Sequence, residues 1–121
     1  MGDDAIKLWE PSEERRRATR IAAFMAAVNA RFGAAFSDYD ALWRWSVDRR
    51  EDFWESVWDF GGVVGDKGGR RLVDGDAMPG ARFFPDARLN FAENLLRRDG
   101  DGDAIVFWGE DKVRRRMSWG E

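Results

Sequence analysis

Residues 99–110, DGDGDAIVFWGE, carry the most metal-like spacing in the chain. Asp99, Asp101 and Asp103 fall on the first, third and fifth positions of a calcium-loop template, and Glu110 on the twelfth. Chemistry there would be oxygen ligation of a hard divalent cation. The sixth position, which needs glycine for a sharp turn, is Ala104, and the positions after it form a hydrophobic run. An acidic connector between helix and strand is therefore expected. A second candidate, GGVVGDKGG at 61–69, places Lys67 among glycines as a phosphate loop would. That loop needs glycine, lysine and then Ser or Thr before a helix. Asp66 and Gly68 break the order on both sides, so a flexible loop is expected. Arginines at 15–17, 70–71, 97–98 and 114–116, interleaved with tryptophans, are the raw material of single-strand nucleic-acid binding. Acids flank each run, and 20 basic against 23 acidic residues leave a net charge of −3, so no nucleic-acid partner is expected. Asp3 with Asp4 and Glu13 with Glu14 read as a solvated arm and a favourable first helical turn.

The chain has no Cys and no His, which removes thiol nucleophiles, disulfides, the usual zinc ligands and imidazole acid–base chemistry. No nucleophile, base and oxyanion donor assemble from what remains. The expected inventory is accordingly no catalytic, no cofactor-binding and no metal-binding residue.

The elements that would position such residues are mostly helical. Pro11 and Ser12 set a helix start, Ile21, Phe24, Met25, Val28 and Phe32 form an amphipathic stripe, and Gly33 is its stop. Ser37 with Asp40, and Asp48 with Glu51, are capping-box pairs ahead of two aromatic helices; Asn90 with Glu93 is a third, leading a helix through Leu95 and Leu96 to a turn at Asp99 and Gly100. A short hairpin is expected around Asp74 and Gly75, a turn at Met78 to Gly80, and an extended FFP at 83–85. Residues 104–108 and 113–119 form a second hairpin whose first strand is apolar on both faces, which suits a larger sheet. Ser118 and Glu121 spell one more helix start, so a helix is expected to follow Glu121. Seven Trp, nine Phe and one Tyr give 14% aromatic residues, an unusual amount of ring surface to hide, so that either the core is dense in rings or some of them dock on a partner. The first ten residues read as an arm that Leu8 and Trp9 pin to something larger. The start MGDDAIKLWEP has no basic region followed by an apolar one, and no stretch approaches the ~20 apolar residues of a membrane span. The expectation is a cytoplasmic protein with no membrane partner.

The blocks YDALWRWSVDRREDFWESVWDFGGVVG, DGDAMPGARFFPDARLNFAENLLRR and DAIVFWGEDKVRRRMSWGE, in that order, resemble the amino-terminal region of the acetoacetyl-CoA synthetase (acetoacetate–CoA ligase) family. The resemblance runs from Leu8 to Glu121. The related acetyl- and propionyl-CoA synthetases usually continue the Leu-Asn block into an Asp-Arg-His segment; this chain has Leu95, Leu96, Arg97 and Arg98 instead, which favours the acetoacetate branch. The resemblance implies membership of the adenylate-forming superfamily, whose phosphate loop, magnesium motif, ribose-binding Asp and late catalytic Lys have no counterpart here. It implies an α+β fold: a mostly helical amino-terminal extension followed by a β-hairpin that begins a large domain. The divisions it implies are arm and amphipathic helix at 1–37, an acetyl-CoA-synthetase-type amino-terminal region at 38–98, and the start of an AMP-binding (adenylation) domain at 99–121. The parent enzyme would use acetoacetate, ATP, CoA and Mg²⁺, none held by these residues. Their partner would be the adenylation domain itself, met by Trp43, Trp45, Trp54, Trp58 and Phe60 on the helices and by Phe83, Phe84, Leu89 and Phe91 before the sheet. A free-standing interaction or regulatory module without catalytic activity is the alternative reading. The coding sequence after codon 121 separates the two.

Overall fold

The structure, a computed structural model, describes residues 8–121. Residues 1–7 of the expected arm, Asp3 and Asp4 among them, lie outside the described residues. By contacts the chain forms two units, one ending at Gly62 and the other starting at Val63.

The first unit is helical: α1 Glu13–Arg17, α2 Arg20–Phe32, α3 Tyr39–Asp48 and α4 Arg50–Gly61. Ser12 caps α1 as expected, its Oγ accepting the Arg15 N–H at 3.2 Å, and Gly33 ends α2. The single helix expected between them is broken. Thr19 takes an extended backbone, its Oγ donates to the Arg16 carbonyl at 2.7 Å, and it accepts the Ala22 N–H at 3.3 Å, so a threonine just ahead of the stripe starts a new helix. The cap of α3 is Asp38 rather than Ser37, its carboxylate taking the Ala41 N–H at 2.8 Å. Asp48 does not cap α4 either. It is the last helical residue of α3, and the corner falls on Arg49, whose side chain caps nothing and pairs with Asp52 at 2.6 Å.

Phe24, Val28 and Leu42 form the buried centre, with Val28 only 1% exposed. Met25, Phe36, Trp45, Phe53, Val57 and Phe60 pack around them. The rings meet edge-on: Phe24 lies 5.2 Å from Phe60 and 6.0 Å from Phe53, and Trp45 sits 6.2 Å from Phe53. Such pairs add about 0.5–1.5 kcal/mol beyond their buried area. Polar bonds fix the connections. Asn29 both donates to and accepts from the backbone of Phe36, at 2.9 Å each way, and Arg31 ties α2 to α4 through Asp59 at 2.8 Å and Glu55 at 3.1 Å.

The second unit holds β1 Leu72–Val73 and β2 Arg82–Phe83, an antiparallel pair; α5 Phe91–Leu95; and the hairpin β3 Asp103–Trp108 with β4 Arg114–Ser118. Asn90 caps α5 as expected, accepting the Glu93 N–H at 3.2 Å, although the helix stops at Leu95 instead of running on to Asp99. FFP is extended only at Phe83. Phe84 turns to φ 46°, held there because its N–H reaches the Arg71 carbonyl and its own carbonyl takes the Ala87 N–H, each at 2.9 Å. Long-range hydrogen bonds override the local preference of a residue before proline. In β3–β4 the register places Val106 opposite Arg116, Phe107 opposite Arg115 and Trp108 opposite Arg114. Among the described residues, no helix is long and apolar enough to cross a membrane. A helical first part followed by small antiparallel hairpins is the α+β organisation expected from the sequence.

Candidate docking surfaces

The acidic connector does not gather into a ligand set. Asp103 pairs with Arg116 across the hairpin, and Asp99 accepts the Gly100 N–H at 2.8 Å. Among the described residues, no group of three or more Asp or Glu is placed to hold a metal ion. The glycine cluster around Lys67 is not the flexible loop expected from the sequence. Residues 65–68 lie flat against 86–89: Asp66 and Arg88 exchange both backbone bonds at 2.8 and 2.9 Å, and the Asp66 carboxylate takes the Gly68 N–H at 2.9 Å. A Cβ on Gly65 would stand 2.7 Å from the Leu89 Cβ, and one on Gly68 2.4 Å from the Asp86 Cβ. Glycine is there because two backbones touch. Arg70 then clasps Asp86 with two nitrogens, Nε to Oδ2 at 2.8 Å. That hydrogen bond, more than the opposing desolvation, holds the Asp86 carboxyl below its usual range.

The arginine runs are largely engaged at home. Arg16 pairs with Glu10 and Glu13, Arg82 with Asp74 at 3.0 Å and Arg116 with Asp103, while Arg114 lies 4.5 Å over the Trp108 ring. Acids 3 to 13 residues away in sequence, or a neighbouring ring, engage each of these guanidinium groups.

What remains open is apolar. On the first unit a groove of about 410 Å³ is lined chiefly by Ile21, Phe24, Leu42, Trp43, Phe53 and Phe60. Of the ring residues expected to face a partner, Trp58 is buried and Trp45 and Phe60 are half-buried within their own unit, whereas Trp43 and Trp54 are exposed. Phe83, Leu89 and Phe91 are exposed as well, and Phe84 is half-buried. On the hairpin, Ile105, Phe107, Val113 and Met117 line a shallow face, while Val106 and Trp108 look the other way. Ile105, Val106, Phe107 and Trp108 of β3 are each at least half exposed.

At the end of the hairpin the capping pair is half made. The Glu121 carboxylate accepts the Ser118 N–H at 2.9 Å and its hydroxyl at 3.1 Å, and these bonds, the backbone one first, hold the Glu121 carboxyl below its usual range. The Ser118 hydroxyl donates to the carboxylate instead of accepting a backbone N–H.

Sequence reasoning missed the two asparagine clamps, Asn29 on Phe36 and Asn94 on Val64, the latter with both bonds at 2.8 Å. A usable signal was present: asparagine is a poor helix former, yet both stand inside helical patterns. Ile21 and Tyr39 were likewise not counted among the docking residues.

A family model described as the acetyl-coenzyme A synthetase N-terminus matches residues 39–95. The acetoacetyl-coenzyme A synthetase of Rhizobium meliloti (strain 1021) is 53% identical over 114 residues, which make up 94% of this chain and 18% of that protein. The chain belongs to the acetoacetyl-CoA synthetase family, as an N-terminal region. The solved acetoacetyl-CoA synthetase from Streptomyces lividans matches 92% of this chain with a TM-score of 0.80 and 36% identity, using 18% of its own length. The malonamoyl-CoA synthetase vrtB of Penicillium aethiopicum is 37% identical over 91 residues, or 74% of this chain and 12% of that protein. The chain thus spans less than a fifth of the length of the curated relatives it matches. The superfamily is that of adenylate-forming acyl-CoA ligases, as the quoted sequence blocks implied.

Proposed function

We propose that the chain is the amino-terminal part of an ATP-dependent, AMP-forming acetoacetate–CoA ligase, and that its own task in that enzyme is structural. The parent joins acetoacetate to ATP as an acyl-adenylate, releasing pyrophosphate, and then passes the acyl group to the CoA thiol, releasing AMP. The observation that carries this reading is the 53% identity over nearly the whole chain to an acetoacetyl-coenzyme A synthetase. The described residues do not fit Mg²⁺, ATP or CoA. The one lysine-bearing glycine run is closed against residues 86–89, and the carboxylates are dispersed or paired with arginines. No step of the reaction is therefore assigned to them, and the nucleotide, metal and thiol are left to the longer protein. Exposed apolar surface on each unit supports docking against an adenylation domain, with 1–37 and 38–98 as the extension and 99–121 as the opening of that domain. The proposed setting is cytoplasmic.

Malonamoyl-CoA synthetase shares this region, so the region by itself does not fix the acyl group, and the test must. The coding sequence beyond codon 121 is expected to continue into a phosphate loop. The purified longer protein is expected to form a CoA thioester from acetoacetate, ATP, CoA and Mg²⁺ in preference to malonamate or acetate. The 121 residues alone are expected to show no ATP–pyrophosphate exchange. A stop codon after Glu121, or preference for another acid, overturns the reading.

A further inference from the structure

We infer that the groove between α2, α3 and α4 is the seat by which the first unit docks on the body of the longer enzyme, and that the body fills it with an apolar side chain flanked by a carboxylate. This rests on the proposed ligase reading. The groove is made by residues that have done their internal work on one side only. Phe24 and Leu42 are buried at its floor, while Ile21, Tyr39 and Trp43 rise at its rim, the last two 64% and 53% exposed. A monomer seldom leaves such a concave apolar surface bare. Its rim carries one charged side chain, Arg20, whose guanidinium lies 5.0 Å over the Phe60 ring and has no acidic partner among the described residues. Every other arginine shown reaching across α2 and α4 does have one: Arg31 engages both Glu55 and Asp59. A cation held on a ring beside an apolar trough selects a carboxylate next to an apolar anchor. The length of chain outside these residues supplies the occupant: the Streptomyces lividans relative matches 92% of this chain with only 18% of its own.

The chain has no cysteine, so Trp43→Cys and Ile21→Cys place single reporters in the groove, and Glu14→Cys, on the exposed helix α1, serves as control. Alkylation by iodoacetamide is followed peptide by peptide in the 121-residue chain and in the longer protein. The groove reporters are expected to react at least about tenfold more slowly in the longer protein, as buried sites do, while the control is unchanged. Arg20→Glu in the longer protein should release that protection, and Arg20→Lys should restore most of it. Equal rates in the two proteins overturn the inference, even where thioester formation upholds the ligase reading. Concentration-dependent protection in the 121-residue chain, matched by a dimer in sedimentation, also overturns it, since the occupant would then be a second copy.

Discussion

Replacing Gly68 by alanine tests the view that the glycine cluster exists for backbone-to-backbone contact. Gly68 sits at φ +71°, a region that costs an ordinary residue roughly 1–2 kcal/mol. Its new methyl would stand 2.4 Å from the Asp86 Cβ and 2.8 Å from the Asp86 carbonyl carbon, so backbone must retreat. Retreat separates residues 65–68 from 86–89 and endangers the two Asp66–Arg88 bonds, each worth about 0.5–1.5 kcal/mol net. The expected loss is about 3 kcal/mol, local to the second unit. Gly69 is the internal control, because a Cβ there meets nothing within 4 Å. Amide exchange read by NMR at Asp66 and Arg88 gives the answer: Gly68→Ala should abolish their protection and Gly69→Ala should leave it. If both variants keep protected amides, the close-contact reasoning is wrong and the cluster is the loose loop that its composition suggests.

Phe24→Ala removes the ring on which Phe53 and Phe60 stand edge-on, and should destabilise the first unit by about 3–5 kcal/mol in urea unfolding followed by tryptophan fluorescence. Asn94→Ala should cost about 1 kcal/mol per lost bond to Val64 and deprotect the Val64 amide, whereas Asn94→Asp keeps an acceptor for that N–H and should preserve it. Because Arg70 lowers the Asp86 pKa, the pair adds stability that is complete above the ordinary carboxylate value of about 3.9 and is lost as pH falls through the lowered one. Acid titration by carboxyl-carbon NMR should therefore show Asp86 protonating later than an unpaired Asp, and Arg70→Gln should erase the delay. In the isolated chain, amides of β3 and β4 should exchange much faster than those of α2, because a lone two-stranded hairpin is marginal in water.

The sequence displayed most of the helices and both hairpins, since periodicity and capping residues act locally. It was less informative where two local signals compete. Thr19 stands two residues before the apolar stripe that ends at Gly33, and its hydroxyl, bonded to the Arg16 carbonyl and the Ala22 N–H, competes with continuation of the helix from Ser12. Asp38 and Ser37 are both competent caps, and the choice between them depends on which residue stands last in extended conformation. Phe84 and the glycine cluster owe their shape to partners 13 to 24 residues away, at Arg71 and at residues 86–89, and no window of local sequence contains both sides. The absence of cysteine and histidine was readable from composition. The division of the aromatic rings was not, because Trp43 and Trp45 sit two residues apart on one helix and differ only in what the fold brings opposite them.

That division bears on the structural role proposed for this region. A catalytic site is a place where polar groups are held unsatisfied or mismatched so that a substrate completes them. Here, among the described residues, no buried side-chain nitrogen or oxygen lacks a hydrogen-bond partner. The perturbed carboxylates are explained by bonds already made, Asp86 to Arg70 and Glu121 to Ser118. The surplus lies on the other side: Trp43, Trp54, Phe91 and residues 105–108 of β3 remain exposed although each would gain roughly 25 cal/mol for every Å² covered. Apolar surplus has no direction and does no bond-making, but it drives two surfaces together. A chain whose buried polar side chains are partnered and whose apolar faces are exposed is suited to holding a neighbouring domain in place.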